Sequence, residues 1–169
     1  RGLVALAITL TGGWLLWRIL ALAVLQFYAD EVVKAVEARH YPDRLASARE
    51  LRWQAELALG MRGVLRALGY NLIALPFAAA LLVTGVGTAL VFWAVNAVLL
   101  GRELVEMVWV RHRSLEDKTL PLRAGERFAL GGLVAALLAI PFANLLAPFL
   151  GAAMATHLVH RKGANGHAA

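Results

Sequence analysis

Six residues carry the chemistry that a mostly apolar chain leaves open: Thr84, Gly85, Gly87 and Thr88 in one uncharged block, and Asn144 and Leu145 in another. Each group sits where a breaker interrupts an apolar run, so the second half of each block starts a new helix. A helix start presents unbonded backbone N–H groups and the positive end of the helix dipole, and both attract anions. Half-helices ending at membrane depth offer such a site without a buried charge. These six residues are therefore the candidate pathway for an anion. Asn144 has a second reading, as a cap that satisfies backbone groups freed by the break. The two roles are compatible.

Other reactive types carry less. His157 and His160 are spaced i, i+3, the spacing of a two-histidine metal face. No acidic residue or cysteine lies near them in sequence, so an interfacial face is the better account and no metal is expected. Glu103 and Glu106 with Arg111 or Arg113 have the types of a proton relay. Their density in a polar stretch reads instead as surface ion pairs. Asn96, in the middle of an apolar block, is expected to bond a neighbouring helix. No serine–histidine pairing, phosphate loop or facing acids are present, which argues against an enzyme and against a cofactor. The chain has no cysteine, so disulfides and thiolate sites are excluded.

The elements that must position these residues are membrane elements. The chain of 169 residues is 60% hydrophobic with mean hydropathy +0.66, above the roughly 45–50% apolar share of globular domains. It reads as one all-α integral membrane domain. Residues 2–29 form a transmembrane helix. Arg18 inside it is read as snorkelling to an interface beside Trp14 and Trp17, or as functional. Gly12 and Gly13 permit close packing or are a weak point. Residues 30–68 are a polar, cytoplasmic extension. It begins with Asp30, Glu31, Lys34, Glu37 and Arg39, breaks at His40-Tyr41-Pro42-Asp43, and resumes as a helix from Arg44 to about Leu68. That helix is amphipathic: Leu51, Trp53, Leu57, Met61, Val64, Leu65 and Leu68 share one side. On its basic side Arg52, Arg62 and Arg66 are the expected lipid-facing cations. Packing against neighbouring helices is an equal alternative.

Residues 70–101 and 128–160 are uncharged and share a grammar of apolar half, breaker, apolar half. Pro76 breaks the first block, with the glycines at 85 and 87. Pro141 and Pro148 break the second. A crossing needs about 20 apolar residues, so the thirty-three residues of 128–160 are too many for one and too few for two. Each block is expected to be a re-entrant hairpin. Residues 102–127 are a polar connector, in which Ser114 and Asp117 weakly match a helix start, and 161–169 are a tail with the flexible stretch 163–169.

Charge supports that topology. Seven basic residues lie in 30–68, six in 102–127 and two at 161–162. If both blocks re-enter, all fifteen share one side, as the positive-inside tendency favours. This makes 30–68, 102–127 and the C-terminus cytoplasmic. The net charge of +6 then meets anionic lipid rather than nucleic acid, for which no basic run interleaved with aromatics exists.

Pro141-Phe142-Ala143-Asn144-Leu145-Leu146-Ala147-Pro148, followed by Phe149-Leu150-Gly151-Ala152-Ala153-Met154-Ala155, resembles the closing segment of the CysZ-type sulfate permeases. These share a family with the eukaryotic etoposide-induced membrane protein. The order of parts over most of the chain is similar too. The resemblance implies two full membrane helices with two hemi-penetrating hairpins, homo-oligomerisation, and passage of sulfate across the bacterial inner membrane toward cysteine synthesis. It also implies that one membrane helix, and an arginine- and glycine-bearing sulfate segment, precede Arg1. The competing reading is a non-transporting membrane scaffold or anionic-lipid-binding protein of the same fold.

Overall fold

The structure, a computed structural model, describes residues 2–113 and 119–165, without the side chains of 7, 8, 15, 18–27 and 163–165. The expectations for the Arg18 side chain, for a helix start at Ser114–Asp117, and for residues 166–169 lie outside the described residues. Every regular element described is helical. The order is α1 Gly2–His40, α2 Pro42–Ser47, α3 Trp53–Ala80, a single 3-10 turn Leu82–Thr84, α4 Val86–Trp109, α5 Ala124–Leu138 and α6 Ala143–Asn165.

α1 is one uninterrupted helix of 39 residues, about 58 Å at 1.5 Å per residue. It ends where Pro42 takes the first position of α2, the helix position that needs no N–H. The expected helix from Arg44 to Leu68 is not continuous. α2 stops at Ser47, Ala48 and Arg52 are extended, and α3 starts at Trp53. A long-range bond accounts for the break. The Arg49 N–H donates to the Arg111 carbonyl at the end of α4 (2.9 Å), and a helical Arg49 could not reach it. α3 then runs through Gly69 and Tyr70, across the boundary expected at 70. A helical glycine costs only about 1 kcal/mol against alanine.

The prolines correct a second expectation. Pro76 lies inside α3 and Pro148 inside α6, so neither ends its helix. The interruptions fall at 81–85 and at 139–142, the second containing Pro141. In the first, Gly85 takes φ +62°; in the second, Phe142 takes φ +67°, a left-handed conformation that costs an L-residue roughly 1–2 kcal/mol. α6 also continues through Asn165, so residues 163–165 are helical rather than part of a loose tail.

α3 with α4, and α5 with α6, are antiparallel pairs joined by these two turns. α4 and α5 pack most extensively, also antiparallel. Their backbones nearly touch. A Cβ on Gly101 would collide with the Arg127 carbonyl, and one on Gly131 with the Ala97 carbonyl and Gly101 N. Small residues allow such close approach in helix bundles. Trp93 Nε1 then donates across the seam to the Gly132 carbonyl (3.1 Å).

α6 lies parallel to α1, with Tyr28 against Phe149 and Glu37 against His160. The core gathers at this end: Ala29 and Val33 from α1, Val105 and Val108 from α4, Leu130 from α5, and Ala152, Ala155 and Val159 from α6. Many large apolar side chains elsewhere face outward, including Leu3, Leu10 and Trp17 on α1, Leu72 and Leu75 on α3, and Val83 in the turn. Apolar surface on this scale marks a membrane or partner interface.

Candidate functional site

The buried stripe of α1 is Ala29, Val33 and Glu37, spaced i, i+4, i+8, the spacing of one helix face. Glu37 thus continues an apolar stripe and is carried into the core, where none of its surface remains exposed. On α6 the buried stripe Ala152, Ala155, Thr156, Val159 and His160 ends in the same way on a polar residue. The stripe Ala97, Gly101, Val105 and Val108 of α4 points along the helix to His112, just beyond its end.

These three residues meet. His112 Nε2 donates to Glu37 Oε1 (2.8 Å) and His160 Nε2 donates to the same oxygen (3.0 Å). The Arg111 guanidinium stands 3.3 Å from the other oxygen, Oε2, which is buried and lacks a hydrogen bond. Burial alone would raise the carboxyl pKa of Glu37. The hydrogen bonds from His112 and His160, with the charge of Arg111, outweigh burial and hold it at about 2. The group is therefore a carboxylate at physiological pH. An ionised carboxylate only accepts, so both histidines present Nε2–H toward it.

A second layer surrounds the three. The Tyr41 hydroxyl pairs with His157 Nδ1 (3.0 Å). The Tyr41 ring lies 4.8 Å from that of His160, and the His112 and His160 rings are 4.9 Å apart and edge-to-face. The ends of α1, α4 and α6 thus close on one polar knot, held against water by the core above it. The facing ligand atoms of Glu37, His112 and His160 all lie within 4.8 Å of one another.

This cluster was not assembled from sequence. His157 and His160 have no acidic partner near them in sequence, and the acids near His112, Glu103 and Glu106, are not the ones it meets. The partner is Glu37, 123 residues from His160 and 75 from His112. The available signal was Glu37 itself, a charge in register with the apolar stripe of α1.

The expected pathway residues lie at the opposite end: Thr84 and Gly85 in the first turn, and Gly87, Thr88, Asn144 and Leu145 in the first residues of α4 and α6. Thr84 Oγ1 accepts from the Gly87 N–H (3.0 Å) and donates to the Leu81 carbonyl (2.7 Å). Thr88 Oγ1 donates to Ala78 O (3.0 Å), which ties α4 back to α3. In the other turn, Asn144 N–H bonds the Ile140 carbonyl (3.0 Å) and Leu145 N–H the Phe142 carbonyl (3.3 Å). Several backbone donors at both helix starts are thus held within their own turns. Asn144 and Leu145 are exposed. A cleft of about 320 Å³ lies between Phe92, Trp93 and Asn96 of α4 and Ala135, Leu138 and Ala139 of α5, and it holds none of the six. Asn96 bonds its own helix at the Phe92 carbonyl (2.8 Å) rather than a neighbour.

Of the three expected lipid-facing arginines, Arg52 and Arg62 are exposed. Arg66 differs: it turns inward to Glu106 (3.1 Å), which also faces Arg102 (3.7 Å). An available carboxylate on the adjacent helix outcompetes solvent for that guanidinium. The ion pairs expected of Glu106 therefore form, with partners other than Arg111 and Arg113.

The described residues form only helices, and α3 and α4 are each long and apolar enough to cross a bilayer, an architecture compatible with an α-helical membrane protein. The chain belongs to the family described as Sulfate transporter CysZ/Etoposide-induced protein 2.4, whose profile matches residues 1–148. No curated protein and no solved structure matches it.

Proposed function

We propose that this protein is an inner-membrane permease for sulfate or a related oxyanion, feeding sulfur assimilation. The family match over residues 1–148 carries this reading. Element lengths support the accompanying topology. The hydrocarbon layer is about 30 Å thick. After Arg127, the uncharged part of α5 is residues 128–138, about 16 Å at helical rise. The uncharged start of α4, residues 86–101, reaches about 24 Å. These uncharged stretches are shorter than the hydrocarbon layer, although α3 and α4 as whole helices are long enough to cross it; in this reading each block is a hairpin that enters and returns. In this topology the turns at 81–85 and 139–142 lie at membrane depth. The Glu37 cluster, the connector 102–127 and the C-terminus lie on the cytoplasmic side, and the whole is one multi-pass membrane domain that assembles as a homo-oligomer.

In this reading the anion passes Thr84–Thr88 and Asn144–Leu145, taking over N–H groups that the turns otherwise bond internally. No cofactor is needed, because fixed dipoles rather than redox or group transfer act on the anion. Sulfate uptake into proteoliposomes holding the full-length protein tests it. Uptake above empty vesicles is expected. Folded protein without flux would sink the reading.

One observation favours the competing membrane-scaffold reading. On α3, Trp53, Leu57, Met61, Val64, Leu65 and Leu68 are all exposed beside the free faces of Arg52 and Arg62, the pattern of a helix on anionic lipid. Vesicle binding that is lost in Arg52→Glu/Arg62→Glu, in a protein without sulfate flux, would establish that reading instead.

A further inference from the structure

We propose that Glu37, His112 and His160 form a binding site for one divalent transition-metal ion of the Zn²⁺ type, which clamps the ends of α1, α4 and α6 together. Two imidazole nitrogens and a carboxylate oxygen are the donor set of many zinc and iron sites. Here they come from three separate helices and converge on one point. Both Nε2 atoms lie within 3.0 Å of the same oxygen, and all three ligand atoms lie within 4.8 Å of one another. Each of these side chains is at most 4% exposed.

A second observation points the same way. Glu37 Oε2 is buried and makes no hydrogen bond; it faces the Arg111 guanidinium at 3.3 Å and keeps lone-pair capacity for a second cation. A cation placed between the three ligands gives the carboxylate a second partner on that side by bidentate binding. Bonds of about 2.0–2.2 Å around a tetrahedral ion put ligand atoms about 3.4 Å apart, so each Nε2 must draw back from Oε1 by about half an ångström and the two imidazole nitrogens, up to 4.8 Å apart, must close on each other by about 1.4 Å. On binding, each Nε2 proton leaves for solvent or passes to Nδ1, since a ligating nitrogen must offer its lone pair.

The surroundings define which ion fits. Hard cations such as Mg²⁺ and Ca²⁺ want six or more oxygens, and this site offers one carboxylate. Arg111, 3.3 Å from Oε2, already balances the charge of Glu37, so the bound ion brings uncompensated positive charge. That weakens the site relative to one with two carboxylates, and favours hydroxide or another anion in the remaining coordination position.

The test uses the full chain purified in detergent. Elemental analysis after Zn²⁺ loading and desalting should give one Zn²⁺ per chain. The melting temperature should fall on chelation and recover when Zn²⁺ is returned, because a ligand of the native state alone stabilises it. Loss of an outer partner of a metal site costs about 10–100-fold in affinity, so His112→Ala and His160→Ala should each weaken Zn²⁺ binding by more than that. His40→Ala and His157→Ala, which alter neighbouring rings that are not ligands, should retain it.

If the ligand variants do not fold, the wild type alone decides the matter through chelator response and the ligand-field spectrum of bound Co²⁺. Zn²⁺ at buffer background with a melting temperature indifferent to Zn²⁺ and chelator would overturn the proposal, leaving a hydrogen-bonded knot. So would Zn²⁺ that is retained in His160→Ala and lost in His157→Ala.

Discussion

Glu37 and Arg111 are a buried ion pair whose partners come from α1 and the end of α4. Removing one member of such a pair leaves the other charge uncompensated, at a cost of about 3–5 kcal/mol. Glu37→Gln, assayed without added metal, is expected to lose that much stability on thermal or denaturant unfolding in detergent, and Arg111→Met added to it should restore part of the loss. A loss below 1 kcal/mol would mean that Arg111 finds water instead. The two turns give a paired forecast. Gly85 sits at φ +62° and Phe142 at φ +67°, where only glycine is at ease. Gly85→Ala should therefore destabilise by about 1–2 kcal/mol. Phe142→Gly, at an exposed position, should have the opposite sign and a smaller size, because glycine also adds freedom to the unfolded chain. Melting temperatures of the two variants side by side check the sign.

The α4–α5 seam depends on the absence of side chains at Gly101 and Gly131. Overpacking a tight contact costs about 1–3 kcal/mol, so Gly131→Val should lower the melting temperature, whereas Gly125→Ala, where nothing lies near the added carbon, should not. The same pair of helices shows what the residues disclose and what they withhold. Break positions in the apolar blocks were legible, since Gly85 and Pro141 stand at or beside the turns. The glycines of the seam were not, because a close approach between residues 101 and 131 is a property of two helices together. Arg44–Leu68 failed as one helix for the same reason: Arg49 is drawn off by a carbonyl on α4 that no local pattern contains. At the start of α5, Glu126 accepts from Lys162 of α6 (2.6 Å) and from the Arg123 N–H (2.8 Å). The Lys162 contact first, then the backbone bond, lower its pKa below the usual value. A lowered folded pKa means stability that is present above the ordinary glutamate range and lost as pH falls through it. Glu126→Gln should accordingly lower the neutral plateau slightly and flatten the acid limb, leaving stability below the glutamate range nearly unchanged.

For the whole molecule, the antiparallel hairpins and the long α1 fix which segments share a side. The chain contains no cysteine, so single cysteines introduced at Leu115, Lys162 and Val83 report accessibility without background. Labelling of the first two from the cytoplasmic face only, with Val83 protected from both faces by the bilayer, is the expected result. Labelling of positions 115 and 162 from opposite faces would exclude the paired re-entrant arrangement.

The knot at Glu37 also has a consequence for how the chain is made. A ribosome delivers Glu37 first, Arg111 and His112 some 75 residues later, and His160 after a further stretch that brings the span to 123. Until α6 has emerged nearly to its end, Glu37 lacks the hydrogen bond from His160, so this end of the bundle stays open during synthesis. A nascent chain stalled within α6 would leave the Glu37–Arg111 pair without the cover that His160 gives it.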